Sequence, residues 1–136
     1  MKKLLCTLSL LVLAAASAVA AGFPDIKLDE LKKEIVAKNV TLIDANGPGS
    51  YESGHIPGAL DFKVIKDDLA AKLPRDKGAL IVAYCGNPQC PAYARAAKAA
   101  EALGYTNVKH FSAGIDGWKK AGEPTEKPAG PAAKAE

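Results

Sequence analysis

Residues Ala79–Gly104 read ALIVAYC, then GNPQCP, then AYARAAKAAEALG, and the fold follows from how these three pieces join. Ala79 to Tyr84 is an apolar and aromatic run ending at Cys85, the pattern of a buried strand, and the alanine-rich run after Pro91 reads as a helix closed by Gly104. A strand, a short loop and a helix therefore meet at Cys85. A helix start presents unpaired N–H groups and a partial positive charge, which together favour an anion held in front of them. A thiol facing such a cradle has its thiolate favoured, so Cys85 is the candidate catalytic nucleophile. Gly86, Asn87, Pro88, Gln89 and Cys90 are the candidate anion-binding loop, with Gly86 and Asn87 suited to a tight turn that points N–H groups inward. Cys85 also has a plainer reading, as a small apolar residue closing a buried strand.

Working outward, 136 residues suffice for one ordinary domain and little more. The start carries Lys2 and Lys3, an apolar run from Leu4 to Leu13, and small residues through Ala20. This is the layout of a secretory signal peptide spanning 1–21, too short in its apolar centre to span a membrane comfortably, with cleavage expected after Ala20 or Ala21. The mature chain, with no membrane anchor, is then expected in the periplasm of a bacterium or outside the cell. Cys85 and Cys90 remain as its cysteines, in a compartment that permits a disulfide between them. Five residues of separation allow that bridge only if the loop curls. The formal charge of +3 includes the two lysines lost with the leader, and the other lysines are scattered among acidic residues. Without a basic stripe interleaved with aromatics, nucleic-acid binding has no support. Two cysteines and the distant His55 and His110 lack zinc-ligand spacing, so neither metal nor cofactor is expected.

Taken in order, residues 22–26 read as a lead-in or edge strand, and 28–38 as a helix with Leu28, Leu31, Ile35 and Val36 on one face. VTLIDA at 40–45 reads as a buried strand ending near Asp44. A turn-rich stretch follows, with one helical turn at 51–53 stopped by Gly54, then a short strand at 60–62 and a helix at 64–73. Residues 107–111 read as a further strand, followed by a loop and one helical turn. The proline-, alanine- and lysine-rich segment at 125–136 is expected to be disordered. Alternation of strands and helices implies an α/β layer structure with a mainly parallel sheet, in which ligands sit beyond the carboxyl ends of the strands.

The chain resembles the single-domain rhodanese-like sulfurtransferases in three ordered pieces. LIDAN at 42–46 with SYESGHIPGA at 50–59 is similar to the family's first signature. AYC at 83–85 precedes the loop and helix, and SAGIDGWKKAGEP at 112–124 is similar to the family's closing G-G-x-x-x-W-x-x-A-G-x-P. The resemblance covers residues 25–124, within a domain bounded at 22–124. It implies a rhodanese-like fold, a five-stranded mainly parallel sheet with helices on both faces. It also implies transfer of a sulfane sulfur, from a small sulfur-containing anion such as thiosulfate or a persulfide donor, through a Cys85 persulfide to cyanide or a thiol acceptor, protein thiols included. Asp44, His55 and Trp118 are supporting residues in this reading: a loop-fixing acceptor, a structural hydrogen-bonding group and a core anchor.

Two departures from the family pattern bear on chemistry. The loop GNPQC has no Arg or Lys, and Asn46 stands where an arginine usually follows the aspartate; thiosulfate turnover is accordingly expected to be weak, and an anion would depend on the N–H groups of Gly86, Asn87, Gln89 and Cys90. Pro91 stands where phosphatases of this fold need an arginine. Cys90 is a candidate resolving thiol: attack on the inner sulfur of a Cys85 persulfide would release hydrosulfide and leave a Cys85–Cys90 disulfide, and the alternative is that Cys90 receives or protects the sulfur. Other readings stay open: a thiol–disulfide redox protein working through the same pair, or a non-catalytic binding module with a static bridge.

Overall fold

The structure, a computed structural model, describes residues 22–129. Strand β3 (Leu80–Tyr84) lies inside the sheet, and its side chains alternate between two apolar layers. Ile81 and Ala83 point into one layer, with Ile65, Leu69 and Leu73 and with Ala96, Ala97 and Ala100 of helix α5 (Tyr93–Ala102). Val82 and Tyr84 point into the other, with Leu31 of helix α1 (Leu28–Val36), Phe111, and Ile115 and Trp118 of helix α6 (Gly114–Lys120). A strand covered on both faces has no reason to alternate apolar with polar residues, which is why LIVAY is apolar throughout. The alanines of α5 leave its backbone free to sit close against the sheet.

Every strand pair is parallel. β3 pairs with β1 (Val40–Asp44), Leu80 opposite Val40 and Tyr84 opposite Asp44, and on its other side with β4 (Val108–Phe111). A two-residue strand β2 (Leu60–Asp61) pairs with β1, giving the order β2-β1-β3-β4. The sheet thus has four strands among the described residues where five were expected. The lead-in does lie along β4, but only as a single bridge of Asp25 with His110: His110 N–H donates to the Pro24 carbonyl (2.8 Å), and Ile26 N–H donates to the His110 carbonyl (2.9 Å). Pro24 has no N–H to extend the ladder, and α1 begins two residues after Ile26.

Two further elements differ from the expectations. The helix expected at 64–73 is three short pieces: α3 (Phe62–Ile65), a 3-10 turn (Lys66–Asp68) and α4 (Leu69–Lys72). Ile65, Leu69 and Leu73 keep helical spacing and stay buried, so the pattern survives the break. Asp61 caps α3 by accepting from the Lys63 N–H (2.8 Å). Helix α2 (Pro48–Ser53) starts three residues earlier than expected, with Pro48 in the first turn, where its missing N–H costs nothing. It stops at Gly54, whose φ of 148° suits glycine.

The leader expected at 1–21 lies outside the described residues. The segment expected to be disordered from 125 is described only to 129, and its first part does not behave that way. Glu126 exchanges two backbone hydrogen bonds with His55 (2.9 Å each), and its carboxylate accepts from the Gly58 N–H (2.6 Å). Composition alone hid this, because the partner edge is offered by a distant loop.

Candidate active site

Cys85 follows directly on β3 at its carboxyl end and is 1% exposed. The loop from Gly86 to Ala92 turns back so that Cys90 reaches it, and the two cysteines form a disulfide with a Cα–Cα separation of 6.2 Å. That separation lies in the ordinary range for a bridge, so the loop has curled as the spacing required. Cys90 is partly exposed, and its carbonyl oxygen lies 3.0 Å from Cys85 Sγ. The space in front of Cys85 is therefore filled by Cys90 itself.

Asn87 makes the curl. Its carbonyl accepts from the Cys90 N–H (3.1 Å) and its side-chain Oδ1 accepts from the Gln89 N–H (3.1 Å), an Asx-type turn with Pro88 inside it. This corrects the expected cradle. Of the four N–H groups proposed to face an anion, those of Gln89 and Cys90 are turned onto Asn87 in the bridged form, and those of Gly86 and Asn87 are left.

The other side of the loop is clamped by α6. Ile115 N–H donates to the Cys85 carbonyl and Asp116 N–H to the Gly86 carbonyl, each at 2.9 Å. This approach is possible because Gly114 has no side chain. A Cβ there would lie 2.5 Å from both carbonyl oxygens, and its φ of 62° is left-handed. The closing signature segment thus acts on the loop through backbone, and Gly114 was not singled out from sequence because a φ cannot be read from letters.

Asp44 accepts hydrogen bonds at both carboxylate oxygens. Its Oδ1 accepts from the backbone N–H (2.7 Å) and the side-chain Nδ2 (2.9 Å) of Asn46, and its Oδ2 accepts from the Tyr84 hydroxyl (2.8 Å). The Tyr84 oxygen in turn accepts from the Ile56 N–H (3.1 Å). Burial, reinforced by the Asp44 charge, pushes the Tyr84 phenol far above its ordinary range, so it stays a donor. Asn46 stands in the place of the missing arginine and reaches the Cys85 loop: its Oδ1 would lie 3.5 Å from a Cβ on Gly86.

His55 and Trp118 are not brought to the loop. His55 is buried and stacked on Tyr51, with Nδ1 2.9 Å from the Tyr51 carbonyl and Nε2 3.4 Å from Glu126 Oε1. Trp118 packs edge-on to Phe111 and donates from Nε1 to the Pro124 carbonyl (2.7 Å), fixing the end of the domain. Among the described residues no group of three or more Cys, His, Asp or Glu side chains is arranged to hold a metal. An open cleft of about 800 Å³, lined in part by Phe23, Lys98, Tyr105 and Lys109, lies toward the amino end of β4, away from Cys85.

Over residues 27–121 the chain matches the family described as Rhodanese-like domain. It is 34% identical over 116 residues to an HTH-type transcriptional regulator of Mycobacterium tuberculosis, across 83% of this chain and 50% of the regulator. The chain spans about half the length of that curated relative. Among solved structures, the rhodanese-like domain of an Anabaena protein is similar with a TM-score of 0.61 at 24% identity, covering 82% of this chain and 89% of that one. A 3-mercaptopyruvate sulfotransferase from Escherichia coli is similar with a TM-score of 0.63 at 20% identity, covering 80% and 52%. At these identities the two structures speak to the fold.

Proposed function

This chain belongs to the family of rhodanese-like domains, and from that premise we propose that it is a sulfurtransferase in which Cys85 carries a sulfane sulfur as a persulfide. The observation that carries the reading is the position of Cys85, at the carboxyl end of β3, in a loop held from below by the Ile115 and Asp116 amides. With the bridge reduced, the Cys85 thiolate attacks the outer sulfur of a donor such as thiosulfate. The new bond is Cys85 Sγ–S, the broken bond is S–S of the donor, and sulfite leaves with the electron pair. A thiol or cyanide acceptor then takes the outer sulfur and returns Cys85 as a thiolate. With no cationic side chain in the loop, the donor is held by main-chain N–H groups, and turnover of small anions is slow. The reading includes export to the periplasm or beyond the cell, resting on the leader-like residues 1–21.

Mass spectrometry of the intact, reduced protein after donor treatment tests this. One added sulfur atom is expected, and it is expected to vanish in Cys85→Ser; an adduct unchanged by that substitution would sink the proposal. A second reading, a thiol–disulfide redox protein, is favoured by the Cys85–Cys90 bridge itself. It predicts that Cys90→Ser abolishes activity, whereas simple sulfur transfer predicts that the variant still loads Cys85.

A further inference from the structure

We propose that Cys90 is the resolving thiol for the persulfide on Cys85, so that the chain discharges the carried sulfur as hydrosulfide and is then reset by an external dithiol. This deepens the proposed function and rests on the Cys85 persulfide. The bridge is the key observation: Cys90 Sγ reaches Cys85 Sγ with both cysteines in their places in the loop. In a persulfide, the sulfur next to Cβ of Cys85 is that same atom. Attack there needs the approach the bridge displays, made by a side chain already on the loop, and intramolecular placement of this kind greatly favours reaction over an external thiol.

The Cys90 thiolate attacks the inner sulfur of Cys85–S–SH, the Cys85–Cys90 S–S bond forms, the bond to the outer sulfur breaks, and that sulfur leaves as hydrosulfide with the electron pair. The sulfane sulfur gains two electrons, and each cysteine sulfur gives up one. Continued turnover therefore requires a two-electron reductant, a dithiol by chemical class. Its point of entry is also set by the geometry. Cys85 Sγ is buried behind the loop, whereas Cys90 is partly exposed. The first thiolate of the reductant attacks Cys90, and the Cys85 thiolate leaves. The second thiol of the reductant then attacks its own sulfur in the mixed disulfide, freeing Cys90 and carrying the disulfide away. Asn87 keeps Cys90 close throughout, through the hydrogen bonds its carbonyl and side chain accept from Cys90 and Gln89.

Reduced, desalted protein is mixed with thiosulfate in the absence of any added thiol, and sulfite, sulfide, free thiols and intact mass are followed through one turnover. The expected result for the wild type is release of sulfide in step with sulfite, loss of both thiols, and a final mass equal to that of the bridged chain. Cys90→Ser is expected to keep the added sulfur on Cys85 and to release sulfide at least about tenfold more slowly until dithiothreitol is added. A wild-type protein that retains the added sulfur beside a free Cys90 thiol, or a variant that releases sulfide at the wild-type rate, overturns this inference while leaving the persulfide reading intact. Failure of both proteins to take up sulfur while remaining folded by circular dichroism overturns the persulfide reading, and this inference with it. Separately, oxidised wild type treated with a small monothiol and quenched with acid is expected to carry the mixed disulfide on Cys90; an adduct on Cys85 refutes the assigned point of entry.

Discussion

The hydroxyl of Tyr84 joins three parts of the chain: it donates to Asp44 and accepts from the Ile56 N–H, in a place closed to solvent. Tyr84→Phe would leave a buried carboxylate oxygen and a buried amide without that partner. A loss of roughly 1–3 kcal/mol is expected, read as a lower urea midpoint with an unchanged slope. Asp44 was legible as an acceptor because a carboxylate closing a β-branched strand must be bonded to something. Its partner was not, because Tyr84 stands forty positions away and reads as plain core. His110 shows the same limit. It is buried, stacked on Tyr93, and its Nε2 has no hydrogen-bond partner. Burial lowers its pKa, with Asp25 opposing. The unfolded chain therefore takes up a proton at about pH 6.5 that the fold resists, so this contribution to stability is complete above that pH and is lost as the pH falls below it. Thermal denaturation is expected to show a lower Tm at pH 5 than at pH 7, the free-energy loss from this group being no more than about 1.4 kcal/mol for each pH unit, and the difference is expected to shrink in His110→Phe.

At the scale of elements, the Cys85 loop is set by its neighbours as much as by its own letters. Gly114→Ala would drive a methyl group into the Cys85 and Gly86 carbonyls and force a left-handed backbone on alanine. The expected outcome is a stability loss of about 1–3 kcal/mol and persulfide formation slowed roughly ten- to a hundredfold in single-turnover assays, because displacing the loop misaligns Cys85. Closing so short a loop, the bridge is itself expected to stabilise the fold by about 2 kcal/mol, measurable as a drop in urea midpoint on reduction. Strand β3 and helix α5 are legible from their apolar runs, and α1 from Leu28, Leu31 and Ile35, although Val36, expected on the same face, is exposed. The sequence predicts one helix over 64–73 where the structure has three short pieces, since buried positions four apart look alike whether or not Asp68 breaks the backbone between them. The anion cradle was misjudged for a related reason: the letters NPQC offer amides, but only the fold decides that Asn87 consumes two of them.

For the whole molecule, layer order and the place of the site at the strands' carboxyl ends followed from alternation of element types, whereas the two edges did not. Pro24 reduces the expected fifth strand to a bridge on β4, and Glu126 returns from beyond Trp118 to pair with His55 and Gly58. Composition marks such a segment as unstructured because its few hydrogen bonds are all long-range. A chain ending at Pro124 is expected to lose about 1–2 kcal/mol of stability, and hydrogen exchange at the His55 and Gly58 amides is expected to rise sharply while the β3 amides keep their protection.

The Cys85–Cys90 bridge ties up every sulfur of the described cysteines. Peroxide attacks thiolates, and its advanced products, sulfinic and sulfonic acids, are not undone by simple thiols. While bridged, both of these sulfurs are shielded from that chemistry. Peroxide should add oxygen to Cys85 only after prior reduction, a difference that peptide mass spectrometry would read directly.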